Sequence, residues 1–165
     1  MIHALLASAL LLGGQEVAQQ TGIVTGTVVA PFSQQIAAPV QVVLLPTRYM
    51  ELWHSEVQKR LDLYWQQYQV TFRTRKEFFL EFSKQAHKDA TNYVLTRMGR
   101  DSSGKLSQYL IETSTGGRFE FNHVPFGEYK ILALGKVGGQ DVIWQEFVDV
   151  RSEIPYFVEL KTHLP

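Results

Sequence analysis

The sequence predicts a mainly β chain: a seven-stranded β-sandwich in which an antiparallel α-helical hairpin is inserted between strands 2 and 3. Three observations carry this reading. Runs of β-branched and aromatic residues occupy 22–46 and the stretch beyond about 106, with turn residues between them. Residues 47–98 contain neither Gly nor Pro, in a chain of 165 residues that holds 12 Gly and 6 Pro. With that block set aside, 90 residues remain in 22–46 and 101–165, close to the roughly 100 of a seven-stranded sandwich.

Residues 1–18 read as a secretory signal peptide, with an apolar run from Ala4 to Leu12, the small pair Gly13-Gly14, and cleavage expected between Gly14 and Ala18. The run is about half of the roughly 20 apolar residues that a membrane-spanning helix needs. The expected location is secreted or periplasmic, with the folded domain spanning 21–165. No Cys is present, so disulfides, thiolate metal sites, a cysteine nucleophile and a lipoprotein anchor are all excluded.

Gly22 to Val29 and Val40 to Leu45 are expected as the first two strands. The helical insertion spans 47–99. Met50, Trp53, Val57, Leu61, Tyr64, Tyr68 and Phe72 recur at steps of three and four, which places them on one helical stripe; Phe79, Phe82, Ala86, Ala90 and Tyr93 repeat the pattern. Thr74-Arg-Lys-Glu77 has capping-box spacing, which divides the block into two helices near residue 73. Thr47 is the expected first N-cap and Gly99 the residue that ends the second helix, with Arg97 in its last turn. Tyr49, Leu52, Leu63 and Val70 lie off the stripe and require a further surface, either the sandwich or a second copy.

Beyond the hairpin, Leu106 to Ile111 is an expected strand, followed by Phe119 and Phe121, by Tyr129, Ile131 and Ala133, and by a turn at Gly138-Gly139. In Val142 to Val150, Glu146 interrupts the inward set of Trp144, Val148 and Val150, which predicts a bulge or an edge position. Ile154, Tyr156, Val158 and Leu160 alternate in the last strand, where Pro155 fits only an edge or a strand start.

Three stretches together resemble the carboxypeptidase regulatory-like domain, one of the transthyretin-like (prealbumin-like) sandwiches with a carbohydrate-binding-like fold. They are Gly26-Thr-Val28, Pro39-Val-Gln-Val-Val-Leu44, and Thr115-Gly-Gly-Arg-Phe-Glu-Phe-Asn-His-Val-Pro-Phe-Gly-Glu-Tyr129. The third carries a Gly-x-Phe strand, an Asn-x-Val-Pro turn and a Gly-x-Tyr strand start, with Phe126 in place of the family's second Pro. The resemblance covers about 90 residues and implies a Greek-key sandwich acting as a non-catalytic accessory or binding domain. The helical hairpin departs from it.

Charge is balanced, with 16 Lys+Arg against 16 Asp+Glu, which excludes a generally basic nucleic-acid binder. It is uneven along the chain: residues 47–100 hold ten Lys/Arg against six Asp/Glu. Arg73, Arg75 and Lys76 gather at the hairpin tip, where they can meet an acidic partner or anionic lipid. Gly99 to Lys105 nearly spells a phosphate-binding loop, but Leu106 stands where Ser or Thr would meet Mg²⁺, so it reads as a helix-ending turn. The five His show no metal-binding spacing. His54 and His87 are expected on helix surfaces, and His123 in a turn near Glu120 and Glu128.

The expectation is an exported, non-enzymatic interaction module without cofactor or metal. Its partner is another exported or envelope protein, or a second copy met through the hairpin. Trp65, Arg73, Arg75, Lys76 and Trp144 are the candidate partner or ligand surface. The alternative is polysaccharide binding on the sandwich with Trp144 as stacking platform; a hydrolase built on His123 with Glu120 or Glu128 is the third reading.

Overall fold

The computed structural model describes residues 19–31, 36, 39–101 and 105–162; the signal segment and part of the Gly99 to Lys105 turn lie outside them. The elements run β1 (Thr21–Val28), β2 (Gln41–Pro46), α1 (Thr47–Thr74), α2 (Lys76–Asp101), a 3-10 turn (Lys105–Gln108), β3 (Leu110–Glu112), β4 (Arg118–Pro125), β5 (Gly127–Val137), β6 (Gln140–Val150) and β7 (Tyr156–Leu160). Helix accounts for 43% and strand for 39% of the described residues, so the chain is mixed where the sequence reading expected mainly β.

The strands form two sheets. In the first, ordered β4-β1-β7, β1 pairs antiparallel with β4 and parallel with β7. The second, ordered β3-β2-β5-β6, is antiparallel throughout. Val24 and Val28 of β1, Phe119 and Phe121 of β4 and Leu160 of β7 share one core with Val42, Leu44, Ile131, Ala133 and Trp144 of the other sheet. Burial along β1 alternates strictly, as expected of a sheet covered on one face only. Gly26 is required there, because a Cβ would collide with the Val158 carbonyl oxygen and the Phe119 ring.

The four-stranded sheet is covered on both faces. Val42, Val43, Leu44 and Leu45 of β2 are all buried: Val42 and Leu44 face the shared core, while Val43 and Leu45 pack under the helices with Leu132, Trp53, Val57, Ala90, Val94 and Met98. The unbroken apolar run of β2 is the sequence mark of this two-sided burial.

Several boundaries differ from expectation, each for a local reason. Pro46 is the residue preceding α1, with φ −58° and ψ 157°, and still pairs with Tyr129, so the helix leaves the strand directly. Thr47 lies inside the helix, and its hydroxyl donates to the Glu128 carbonyl at 3.3 Å. The helices do divide at the hairpin, but the capping box is not what divides them. Thr74 is spent on the end of α1, donating to the carbonyls of Val70 and Thr71, both at 3.1 Å, and Arg75 breaks the helix at φ −137°, ψ 85°. Helix α2 continues past Gly99 to Asp101, whose carboxylate accepts from the Tyr49 hydroxyl at 3.0 Å and pairs with Arg48 at 3.4 Å. This pair ties the end of α2 to the start of α1, and Arg100, not Arg97, is the cation of the last turn.

The expected strand from Leu106 is a 3-10 turn at first and a strand only from Leu110. Strand β6 is indeed an edge, yet it pairs with β5 without a bulge from Gly127↔Val150 to Val137↔Gln140. Gly138 and Gly139, at φ 57° and 81°, make the tight connection between them. Ile154 is 73% exposed and precedes β7 instead of joining it.

Candidate functional site

The hairpin has a docked half and a free half. Apolar contact with the sheet draws on α1 from Tyr49 to Leu61 and on α2 from Ala90 to Met98. Trp53 anchors this half: its ring is 1% exposed and its indole N–H donates to the Thr91 hydroxyl at 3.0 Å, which in turn donates to the His87 carbonyl at 2.8 Å. Tyr49 and Leu52, two of the residues expected to need a further surface, find it here.

Lys130 on β5 is the functional-type residue that sequence reasoning missed. It is 4% exposed, and its ammonium lies 5.0 Å from the centroid of the Trp53 ring and 4.4 Å from that of Phe147. Burial lowers its pKa from the ordinary lysine value, and Glu146 only partly offsets this. His54 and His87 meet the Trp53 ring edge-on at 5.0 and 5.4 Å. Burial, and then the charges of Lys130 and His87, hold the His54 imidazole below its ordinary value. The sequence signal was a Lys at an outward position of β5, which reads as solvated until helices are placed over that face.

Beyond Leu61 the hairpin stands clear of the sheet core. Its inner side is a chain of rings: Tyr64 to Phe82 at 4.9 Å, Tyr68 to Phe82 at 5.0 Å, Phe72 to Phe82 at 5.4 Å, and Phe72 to Phe79 at 5.5 Å. Phe72 alone of these is buried on α1; Tyr68, expected on the core stripe, is exposed and sits at a kink with φ −125°, ψ 15°. Trp65 lies against Phe72 and Phe79 and is 44% exposed, as its off-stripe position predicts. Leu63, Val70, Phe78 and Leu80 are exposed as well, Val70 by 72%. Arg73, Arg75 and Lys76 are all exposed at the tip, Arg75 lying 5.7 Å from the Phe78 ring centroid and Lys76 lining a shallow groove with Trp65, Phe72, Phe79 and Leu80.

The structure thus brings four of the five candidate residues, Trp65, Arg73, Arg75 and Lys76, to one end of the molecule. Trp144 is a correction. It is fully buried between the sheets and its indole N–H donates to the Val29 carbonyl at 2.9 Å, so the ring is core and no stacking platform. His123 is exposed at φ 55°, and Glu120 accepts from Asn122 at 2.9 Å. Among the described residues no group of three or more His, Cys, Asp or Glu is placed to hold a metal ion, and no helix is long and apolar enough to cross a membrane.

A second concavity, about 600 Å³, lies between α2 and the β5–β6 hairpin. Glu81, Lys84, Gln85, Lys88, Lys136, Gln140 and Asp141 supply its polar groups over a floor that includes Leu134 and Ile143. Hydrogen bonds from Lys136, at 2.7 Å, and Lys88, at 3.2 Å, hold the Asp141 carboxyl below the usual carboxylate range.

No family model matches the sequence, and no curated protein matches it. A solved structure of a Pseudomonas aeruginosa protein, provisionally named carbohydrate-binding, aligns over 87% of this chain and 91% of its own, at 18% sequence identity and a TM-score of 0.39.

Proposed function

We propose that the protein is an exported, non-catalytic interaction module whose working surface is the free half of its helical hairpin. The observation that carries this is the concentration of exposed apolar and cationic side chains between Leu63 and Leu80, on an arm that the sheet core does not cover. A monomeric soluble surface seldom leaves so many large apolar groups together without a use for them. Export is supported by the apolar run Ala4 to Leu12.

The body that carries the arm is read as a transthyretin-like Greek-key sandwich of the carboxypeptidase regulatory-like kind. In support, its two sheets share one core, and the signature residues take structural roles. The Tyr129 hydroxyl donates to the Pro125 carbonyl at 2.8 Å, closing the turn, and burial pushes its pKa up to about 12.

The test is cross-linking in an envelope extract, comparing the intact chain with one in which a short turn replaces Tyr64 to Phe82. Shortening is preferred to removal of the whole insertion, which would strip the cover from Val43, Leu45 and Leu132. Loss of the cross-linked partner on shortening is expected; its retention would move the working surface to the sheets. A second reading, saccharide binding, shifts from Trp144 to the cleft beside α2, whose amide, ammonium and carboxylate groups suit sugar hydroxyls. Calorimetric titration of wild type and Gln140→Ala with polysaccharides tests it: heat that the substitution abolishes supports it, and no heat disposes of it.

A further inference from the structure

We propose that the free arm seats its tip in an anionic lipid surface, acting as a peripheral membrane anchor; this rests on the reading that the arm is the working surface. The first reason is where the exposed apolar residues lie. Trp65 is grouped with Phe72, Phe79 and Leu80, while Phe78 lies beside Arg75; Phe78, Phe79 and Leu80 are consecutive and all exposed, and at about 100° per residue they point to different sides of α2. A protein partner or a second copy of the hairpin would cover one face and leave the other wet. A lipid interface surrounds the tip and accepts both.

The second reason is charge. From Leu63 to Lys76 there are three cations and no acid, the next acid being Glu77. The cations sit at the extreme end of the arm beside the rings, the pairing of aromatic and basic side chains that suits a headgroup region over anionic lipid. The third is reach. The 13 residues of α1 from Asp62 to Thr74 extend at most about 20 Å at 1.5 Å per residue, shortened by the bend at Tyr68, and they carry the tip beyond the docked half of the hairpin. Neither helix spans a bilayer, so insertion is confined to the interface.

The protein carries its own probe. Trp53 and Trp144 are buried, so of the three tryptophans Trp65 is the one that reports contact at the surface. The full mature chain is mixed with vesicles of phosphatidylglycerol and phosphatidylcholine in equal amounts, and separately with pure phosphatidylcholine. A blue shift of Trp65 emission, quenching by brominated acyl chains and co-sedimentation are expected with the anionic vesicles only. Arg73→Gln, Arg75→Gln and Lys76→Gln combined should weaken that association roughly a hundredfold at low salt while leaving the melting temperature unchanged. Equal binding to both vesicle types, or undiminished binding of the triple variant, overturns the proposal. So does silence with both vesicle types; if the intact chain then still cross-links a protein that the shortened chain does not, the arm reading stands. If shortening also leaves the cross-linked partner unchanged, the arm reading falls as well.

Discussion

The indole N–H of Trp53 on α1 donates to the Thr91 hydroxyl on α2 at 3.0 Å, and both residues are buried where the hairpin meets the sheet. This bond fixes the register of the two helices at the base of an arm whose far end is free. Thr91→Val keeps the volume but orphans a buried N–H, which costs about 1–3 kcal/mol. Thermal unfolding should drop by several degrees, at roughly 2–4 °C per kcal/mol for a chain of this size. An unchanged midpoint would mean that water or another group takes the bond.

Lys130 is held among aromatic rings and makes no ion pair among the described residues, and burial depresses its pKa below 10.5. Between that depressed value and 10.5 the unfolded chain binds more protons than the folded one, so stability should rise with pH across the window. Lys130→Met removes the buried charge at similar shape. The variant should melt higher than wild type at pH 7 and lose that part of the pH slope.

His54 shares the same environment. Its folded pKa lies below 6.5, so as pH falls from 6.5 through the folded value the unfolded chain takes up the proton first and stability declines. In Lys130→Met the Lys130 contribution disappears while those of burial and of His87 stay. The imidazole titration followed by NMR should move up toward 6.5 without reaching it.

Trp144 is a structural residue. Trp144→Ala leaves a cavity between the sheets and an unmet Val29 carbonyl, and should cost about 3–5 kcal/mol. Denaturant unfolding checks this; a loss under about 1 kcal/mol would show that the core collapses around the gap.

Phe72 is the hub of the rings in the free arm, touching Trp65, Tyr68, Phe79 and Phe82. Because the arm adds nothing to the sheet core, Phe72→Ala should open the arm locally. Amide exchange between residues 64 and 82 should speed up while protection in β2 and β5 is retained. Loss of protection in both regions together would show that arm and body unfold as one unit.

Much of the fold is legible in local pattern. Period-2 alternation marks Phe119 and Phe121 or Val158 and Leu160 as inward residues, and the Gly- and Pro-free block marks the helices, because these periodicities follow from backbone geometry. The exposure of four of the five candidate residues was legible to the same degree, and the burial of Trp144 was at odds with its reading as a stacking platform. Trp65, Arg73, Arg75 and Lys76 are exposed at the tip because residues close in sequence stay close on a hairpin. Caps were less legible: Thr74 can serve either the helix before it or the one after it, and the backbone break at Arg75 settles which.

By itself, the sequence determined the order of the elements, the inserted hairpin and the basic, aromatic character of its end. Tertiary structure alone decided what each exposed-looking side chain meets. Lys130 holds an outward position of β5 beside the apolar run 131–134, and a lone Lys there does not by itself say whether water or a helix lies over it. Coverage of a sheet face is set by residues about 40 to 80 positions away, Trp53 and Thr91 among them. The same docking stops at Leu61, and where it stops is what leaves the arm free.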